Sequence, residues 1–308
     1  MKPDFGAFIP PEGHSYPDIK QMAMRTEELD YHSIWLSDHL HGMYESQAAP
    51  RYECWTLGTA LAAITNKVKF GQLTMATPFR NPALTAKMAA TLDNITDGRV
   101  ILSIGAGWHR DEFKGYGYDF GSVGSRSTRL EEAARIIKHL WTEEYTSFEG
   151  KYYSLDGAYC NPKPVQDPMP LMIAGDGEKR TLRTAARYGD MTNYSEWTGT
   201  PEAFKSKTEI LLKHCEKENR DPDEITKTWA AFVFIDEIME KATEKMNKRF
   251  EGITLTQPGR GLVGTPESIR QDIYKYMEAG VEMFILSFLG GEWDKEATLF
   301  KEEVISNL

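Results

Sequence analysis

Short apolar runs alternate with amphipathic stretches from one end of the chain to the other. Eight runs, at 4–9, 33–37, 68–74, 100–104, 171–174, 190–194, 228–235 and 282–287, are too short for buried helices and predict strands. Between them the spacing turns helical. Ile19, Met22, Ala23, Thr26 and Leu29 share one face, as do Leu130, Ala133, Ile136, Ile137, Leu140 and Trp141. Thr265-Pro266-Glu267 opens another helix with proline in its first turn, and Gly280 ends it. Eight strands, seven intervening helices and a closing helix at 295–306 predict an α/β chain folded as one (β/α)8 TIM barrel. The longest gaps follow the fourth and seventh strands, so insertions there should cover the mouth, where barrel sites form. Within the second gap, the glycine-rich segment 251–264 is expected to act as a mobile lid.

The stretch 170–193 carries the strongest chemical signal. The apolar run 171–174 stops at Gly175-Asp176-Gly177, and a helix is expected from Glu178 to Tyr188, closed by Gly189. Glycines at a strand-to-helix turn let the backbone approach a ligand, and the first N–H groups of the helix are left unpaired. Those donors and the helix dipole suit an anion. Lys179, Arg183 and Arg187 follow at four-residue spacing, with Arg180 beside them. The same residues also fit a plain turn with a solvated basic face. A P-loop is excluded by the missing Gly-Lys-Ser/Thr, and the dinucleotide fingerprint by Arg180 where its third glycine belongs.

Bulk composition narrows the class. The 36 Lys+Arg against 46 Asp+Glu give a net charge of −10, which argues against nucleic-acid or anionic-membrane partners. Three widely spaced cysteines, Cys54, Cys160 and Cys215, fit a reducing, cytoplasmic setting. No apolar run approaches the ~20 residues of a membrane span.

Three other strand ends hold candidate chemistry. Ser37-Asp38-His39-Leu40-His41 sets an imidazole beside a carboxylate expected to fix its tautomer, an arrangement suited to proton transfer. His14 and His41 are further candidates, whereas His32, His139 and His214 read as structural. Gly71 to Pro82 runs from a strand through a polar turn into a helix. Gly105-Ala106-Gly107 leaves room for a flat ring, and Trp108, Asp111 and Glu112 are placed to contact what lies above it. No Cys/His cluster suggests a metal, and no G-x-S-x-G a serine hydrolase. A phosphosugar aldolase or isomerase would use the same anion site but needs an inward lysine or carboxylate at a strand end, and no such lysine is evident.

W-L-S-D-H-L-H (35–41), P-F-R-N-P-A-L-T-A-K-M-A-A-T-L-D (78–93), D-G-R-V-I-L-S-I-G-A-G-W-H-R-D-E-F (97–113), R-L-E-E-A-A-R-I-I-K-H-L-W (129–141), N-P-K-P-V-Q (161–166) and G-T-P-E-S-I (264–269) follow in order along the chain. Together they resemble the luciferase-like monooxygenase superfamily, especially its branch of probable coenzyme F-420 (deazaflavin)-dependent oxidoreductases. The resemblance implies a single barrel domain across 1–308, usually a homodimer. It also implies hydride transfer between a deazaflavin and a small organic substrate, with FMN-dependent monooxygenation as the alternative and a non-catalytic flavin-binding protein less favoured. By the same resemblance His39 is the acid/base and Asp38 faces the ring. Leu73-Thr74 falls where many members have a non-proline cis peptide against the ring. Ala106 and Gly107 line the ring or its ribityl chain, and Gly175, Asp176, Gly177, Glu178 and Lys179 hold the phosphate. The substrate pocket is expected at Trp108 and Asp111. Sugar-phosphate dehydrogenases of this branch carry glutamate where Trp108 stands, which points here to a flatter, more apolar substrate. The basic residues after Gly177, with Arg110 and Lys114 nearby, are expected to draw the deazaflavin's anionic tail.

Overall fold

The computed structural model describes residues 2–43, 46–195, 198–251 and 261–308. Its strands are β1 (Asp4–Phe8), β2 (Ser33–Leu36), β3 (Lys69–Gln72), the short β4 (Met75–Ala76), β5 (Val100–Gly105), β6 (Thr146–Glu149), β7 (Ser154–Ala158), β8 (Leu171–Ala174), β9 (Met191–Tyr194), β10 (Thr226–Ile235), β11 (Gly261–Gly264) and β12 (Met283–Phe288). The eight apolar runs are β1, β2, β3, β5, β8, β9, β10 and β12. In that order they pair in parallel, and β12 returns to β1, so the barrel closes. β10 changes partner along its length. Thr226–Trp229 pairs with β9, and Phe232–Ile235 pairs with β11 at the mouth end.

Ten helices are described: α1 (Tyr16–Glu28), α2 (Cys54–Ala62), α3 (Pro82–Ile95), α4 (Arg110–Gly115), α5 (Val123–Thr142), α6 (Thr181–Tyr188), α7 (Pro201–Glu218), α8 (Met239–Arg249), α9 (Pro266–Glu278) and α10 (Trp293–Leu299). Their starts follow from side chains that satisfy otherwise unpaired N–H groups. Ser15 and Asp18 form a reciprocal cap on α1, and Thr265 caps α9 ahead of Pro266. The apolar faces of the helices pack on the outside of the barrel, where Leu130, Ala133, Ile136, Ile137 and Leu140 of α5 are all buried. The barrel interior is filled separately by Phe8, Trp35, Ile101, Met172, Met191, Met283 and Ile285. Trp35 fits because Gly71 faces it across the sheet; a Cβ there would lie 2.3 Å from the indole.

Four features depart from expectation. The insertion after β5 contains an antiparallel hairpin, β6–β7, which the sequence pattern does not announce. In the expected lid, 261–264 form β11, whereas 252–260 lie outside the described residues. Helix α6 begins at Thr181, not Glu178, because the residues before it form a turn. The closing helix is α10, followed by a wider turn at 300–304 and a tight one at 305–307.

Candidate active site

The strand ends β2, β3, β5 and β8 are adjacent in the barrel, so their following loops meet at one side of the mouth. After β2, Asp38 is fully committed within the protein. Its Oδ2 accepts from Ala76 N at 3.0 Å and Arg80 Nη1 at 2.7 Å, and its Oδ1 from Arg80 Nη2 at 2.9 Å. Burial alone would weaken Arg80 as a cation, but the bidentate Asp38 carboxylate and Glu53 more than reverse this and hold it charged. Arg51 ties down the same loop by donating to the His39 carbonyl at 3.1 Å, to Glu12 at 2.7 Å and to Ser37 Oγ.

Asp38 is therefore not the carboxylate that orients His39. That role falls to Glu112, on the first turn of α4, whose Oε2 lies 2.7 Å from His39 Nδ1. Its Oε1 accepts from Leu40 N at 2.6 Å. The Glu112 side chain is only 1% exposed. Burial raises its pKa, but the His39 hydrogen bond, the nearby imidazoles and the Leu40 N–H outweigh burial and leave it below the usual glutamate range. A carboxylate only accepts, so Nδ1 is the donor, and in the neutral ring the lone pair of His39 lies on Nε2. Among the described residues, no side chain or backbone group engages that Nε2.

Around the imidazole, Leu73–Thr74 is a cis peptide, and the Thr74 and Ser103 hydroxyls are hydrogen-bonded to each other. Ala106 and Gly107 are half-buried at the end of β5, where Arg126 Nε donates to the Gly107 carbonyl at 3.1 Å. Trp108 is 65% exposed and stands edge-on to His39, with ring centres 5.8 Å apart. Asp111 is exposed on α4 and shares no hydrogen bond or ion pair with this group among the described residues. His41 lies beside His109, with ring centres 5.3 Å apart. His14 instead lines a separate cavity between α1 and α10 with Asp18, Arg25 and Trp293.

The turn after β8 divides its residues between two tasks. Asp176 faces the loop after β9, accepting from Ser195 N at 3.2 Å, Ser195 Oγ at 2.7 Å and Thr198 Oγ1 at 3.0 Å. Glu178 pairs with Lys207 at 2.6 Å, and its carbonyl meets His214 Nε2 at 2.8 Å. Gly177, Glu178 and Lys179 are exposed, and no group among the described residues accepts from their backbone N–H groups. These are the open donors an anion needs. The basic cluster beyond them is mostly turned away. Arg183 and Arg187 pair with Glu131, Arg187 also with Glu218, and Arg180 donates to Gly124 O and Thr128 Oγ1 on α5.

A model of the luciferase-like monooxygenase family matches residues 3–257. The chain belongs to that family. It is 27% identical over 318 residues to the F420-dependent glucose-6-phosphate dehydrogenase of Amycolatopsis mediterranei, covering 94% of each. It is 34% identical over 140 residues to the FMNH(2)-dependent dimethylsulfone monooxygenase of Pseudomonas putida, covering 46% of this chain and 38% of that one. Among solved folds it is similar to an F420-dependent secondary alcohol dehydrogenase in complex with an F420-acetone adduct, with TM-score 0.87, 24% identity, and coverage of 99% of this chain and 98% of that one. Within this luciferase-like site, sequence reasoning missed Arg51, Arg80 and His109, and the part Glu112 plays. The three-residue spacing of His109 and Glu112 at a helix start was the available signal for the last two.

Proposed function

We propose that this chain is a deazaflavin (coenzyme F-420)-dependent oxidoreductase that moves a hydride between that cofactor and a small organic substrate. The observation that carries this reading is the His39–Glu112 pair: a buried carboxylate 2.7 Å from Nδ1 fixes one tautomer and leaves Nε2 to the mouth. The residues present fit such a cofactor, because the open N–H groups of Gly177, Glu178 and Lys179 offer an anion cradle that no side chain of the described residues fills. When bound, the deazaflavin supplies the hydride chemistry. His39 holds or takes the proton at Nε2, Glu112 and Arg51 fix the imidazole and its loop, and Leu73, Thr74, Ala106 and Gly107 line the ring. Asp38 serves by anchoring the turn at Ala76 and Arg80. Trp108 walls the substrate side and favours a flat, apolar substrate, with Asp111 at the rim.

FMN is the second reading, and one observation favours it. Glu131 and Glu218 neutralise Arg183 and Arg187, so fewer free cations await a polyanionic tail than the sequence promised. Titrating the cofactor-free protein with each cofactor, at low and at higher salt, decides between them. Deazaflavin binding that weakens with salt is expected; tight FMN binding without deazaflavin binding moves the chain to the monooxygenase side of the family. The reading also includes a cytoplasmic homodimer, supported by the family resemblance and three buried, unpaired cysteines.

A further inference from the structure

We propose that His109 passes protons between the buried Glu112 carboxylate and solvent, so that the mouth holds a chain of three groups, His39, Glu112 and His109. Its use in turnover rests on the reading of His39 given above, but its geometry does not. Glu112 Oε1 is occupied by Leu40 N at 2.6 Å and Oε2 by His39 Nδ1 at 2.7 Å. With the side chain 1% exposed, a proton arriving on Oε2 has no direct way to water. It returns to His39 or moves to another base within reach.

His109 Nδ1 stands 3.8 Å from that same Oε2. The nitrogen is buried and has no hydrogen-bond partner. One helical turn sets the two residues against each other, since Glu112 N donates to the His109 carbonyl at 3.2 Å. The His109 side chain is 23% exposed while its Nδ1 is buried, so its contact with solvent lies elsewhere on the side chain.

The other groups facing Glu112 do not offer this route. His41, on the loop after β2, meets the Gly42 carbonyl through Nδ1 at 3.0 Å, and its Nε2 is buried without a partner. Of His39, Arg51 meets only the carbonyl, and its other nitrogens are taken by Glu12 and Ser37. Trp108 stands edge-on to His109 with ring centres 5.1 Å apart and has no proton to exchange here. No metal site competes for the three histidines among the described residues.

The passage balances. When His39 Nε2 takes a proton from the mouth, Nδ1 gives its own to Glu112 Oε2. A turn of the His109 ring brings Nδ1 to that oxygen and takes the proton, and His109 Nε2 releases one to water. One proton enters at His39 and one leaves at His109. No electron moves, and Glu112 returns to carboxylate. Both imidazoles end in the opposite tautomer, and passage in the reverse direction resets them.

The test needs neither cofactor nor substrate. Exchange of the His39 Nδ1–H with water is followed by NMR in the whole protein labelled with ¹⁵N-histidine, the resonance being identified by its loss in His39→Asn. His109→Gln is expected to slow exchange by about tenfold or more, a modest share of the roughly 10²–10⁴ that a positioned proton carrier commands. If wild-type exchange is too fast to give a resonance, one should appear only in the variant. His109→Phe, which keeps the bulk of the ring without its nitrogens, should do the same, and circular dichroism of each variant verifies the fold. His41→Asn should leave exchange unaltered. Unchanged or faster exchange in the His109 variants, no resonance in any of the proteins, or equal slowing in His41→Asn would overturn the proposal. Loosened packing alone gives faster exchange, so the direction separates a relay from a structural role. The part His39 plays in turnover is decided separately, by its own variants.

Discussion

His39 reaches its position through a carboxylate 73 residues away in the chain, and this governs how its variants behave. His39→Asn keeps an N–H that can donate to Glu112. Turnover should fall by about 10²–10⁴ while the melting temperature barely moves. His39→Ala should lose as much activity and also some stability. It leaves the buried Oε2 of Glu112 without a donor, at a cost of about 1–3 kcal/mol. Turnover assays beside thermal melts check both, and wild-type turnover in His39→Asn would remove the acid/base assignment. The sequence made His39 legible, because an imidazole at a strand end of a barrel is conspicuous. It misassigned the orienting group, because adjacency along a loop says nothing about direction. Asp38 turns to Arg80, and Glu112 arrives from another element.

The cradle after β8 is a property of an element boundary. Its donors belong to the backbone, so removing the Lys179 side chain should weaken cofactor binding only mildly. Gly177→Val should weaken it severely: a Cβ there would lie 2.6 Å from Thr181 Oγ1, at the first residue of α6. The barrel itself should survive, since Gly177 is exposed and outside every strand. Cofactor titration and a melt of each variant test this, and normal binding by Gly177→Val would place the anion elsewhere. The strands were readable because short apolar runs admit few alternatives. The start of α6 was not, since Glu178-Lys179-Arg180 continues a helical pattern with no capping residue to stop it. The β6–β7 hairpin escaped notice because Thr146 and Phe148 supply only two buried positions along β6.

At the scale of the whole molecule, several buried and half-buried carboxylates should govern acid stability. Burial raises Glu112, Glu53 and Glu27, but hydrogen bonds to His39, Thr56, or the 66–68 backbone leave each below its ordinary value. A lowered carboxylate adds stability above the ordinary glutamate range and loses it as pH falls through its folded value. Glu296 acts oppositely: burial leaves it raised, and it withdraws stability as pH climbs through its range. Denaturant unfolding at a series of pH values should therefore show a steep acid limb, shallower in Glu112→Gln; an equal slope would remove Glu112 from the account. The barrel was legible as a whole because eight runs and their helices point to one architecture, whereas the polar network at its mouth exists only once the ring has closed. The change of partner along β10 bears on how such a scaffold diversifies. Phe250 packs on Phe232 and Phe234 with ring centres 5.6 Å from each, and Gly261–Gly264 zips onto Phe232–Ile235. Phe250 and β11 are thus both fastened to the mouth end of β10. The two ends of this one strand answer to different neighbours, so substitutions at its mouth end can accumulate while the seam with β9 at Thr226–Trp229 stays untouched.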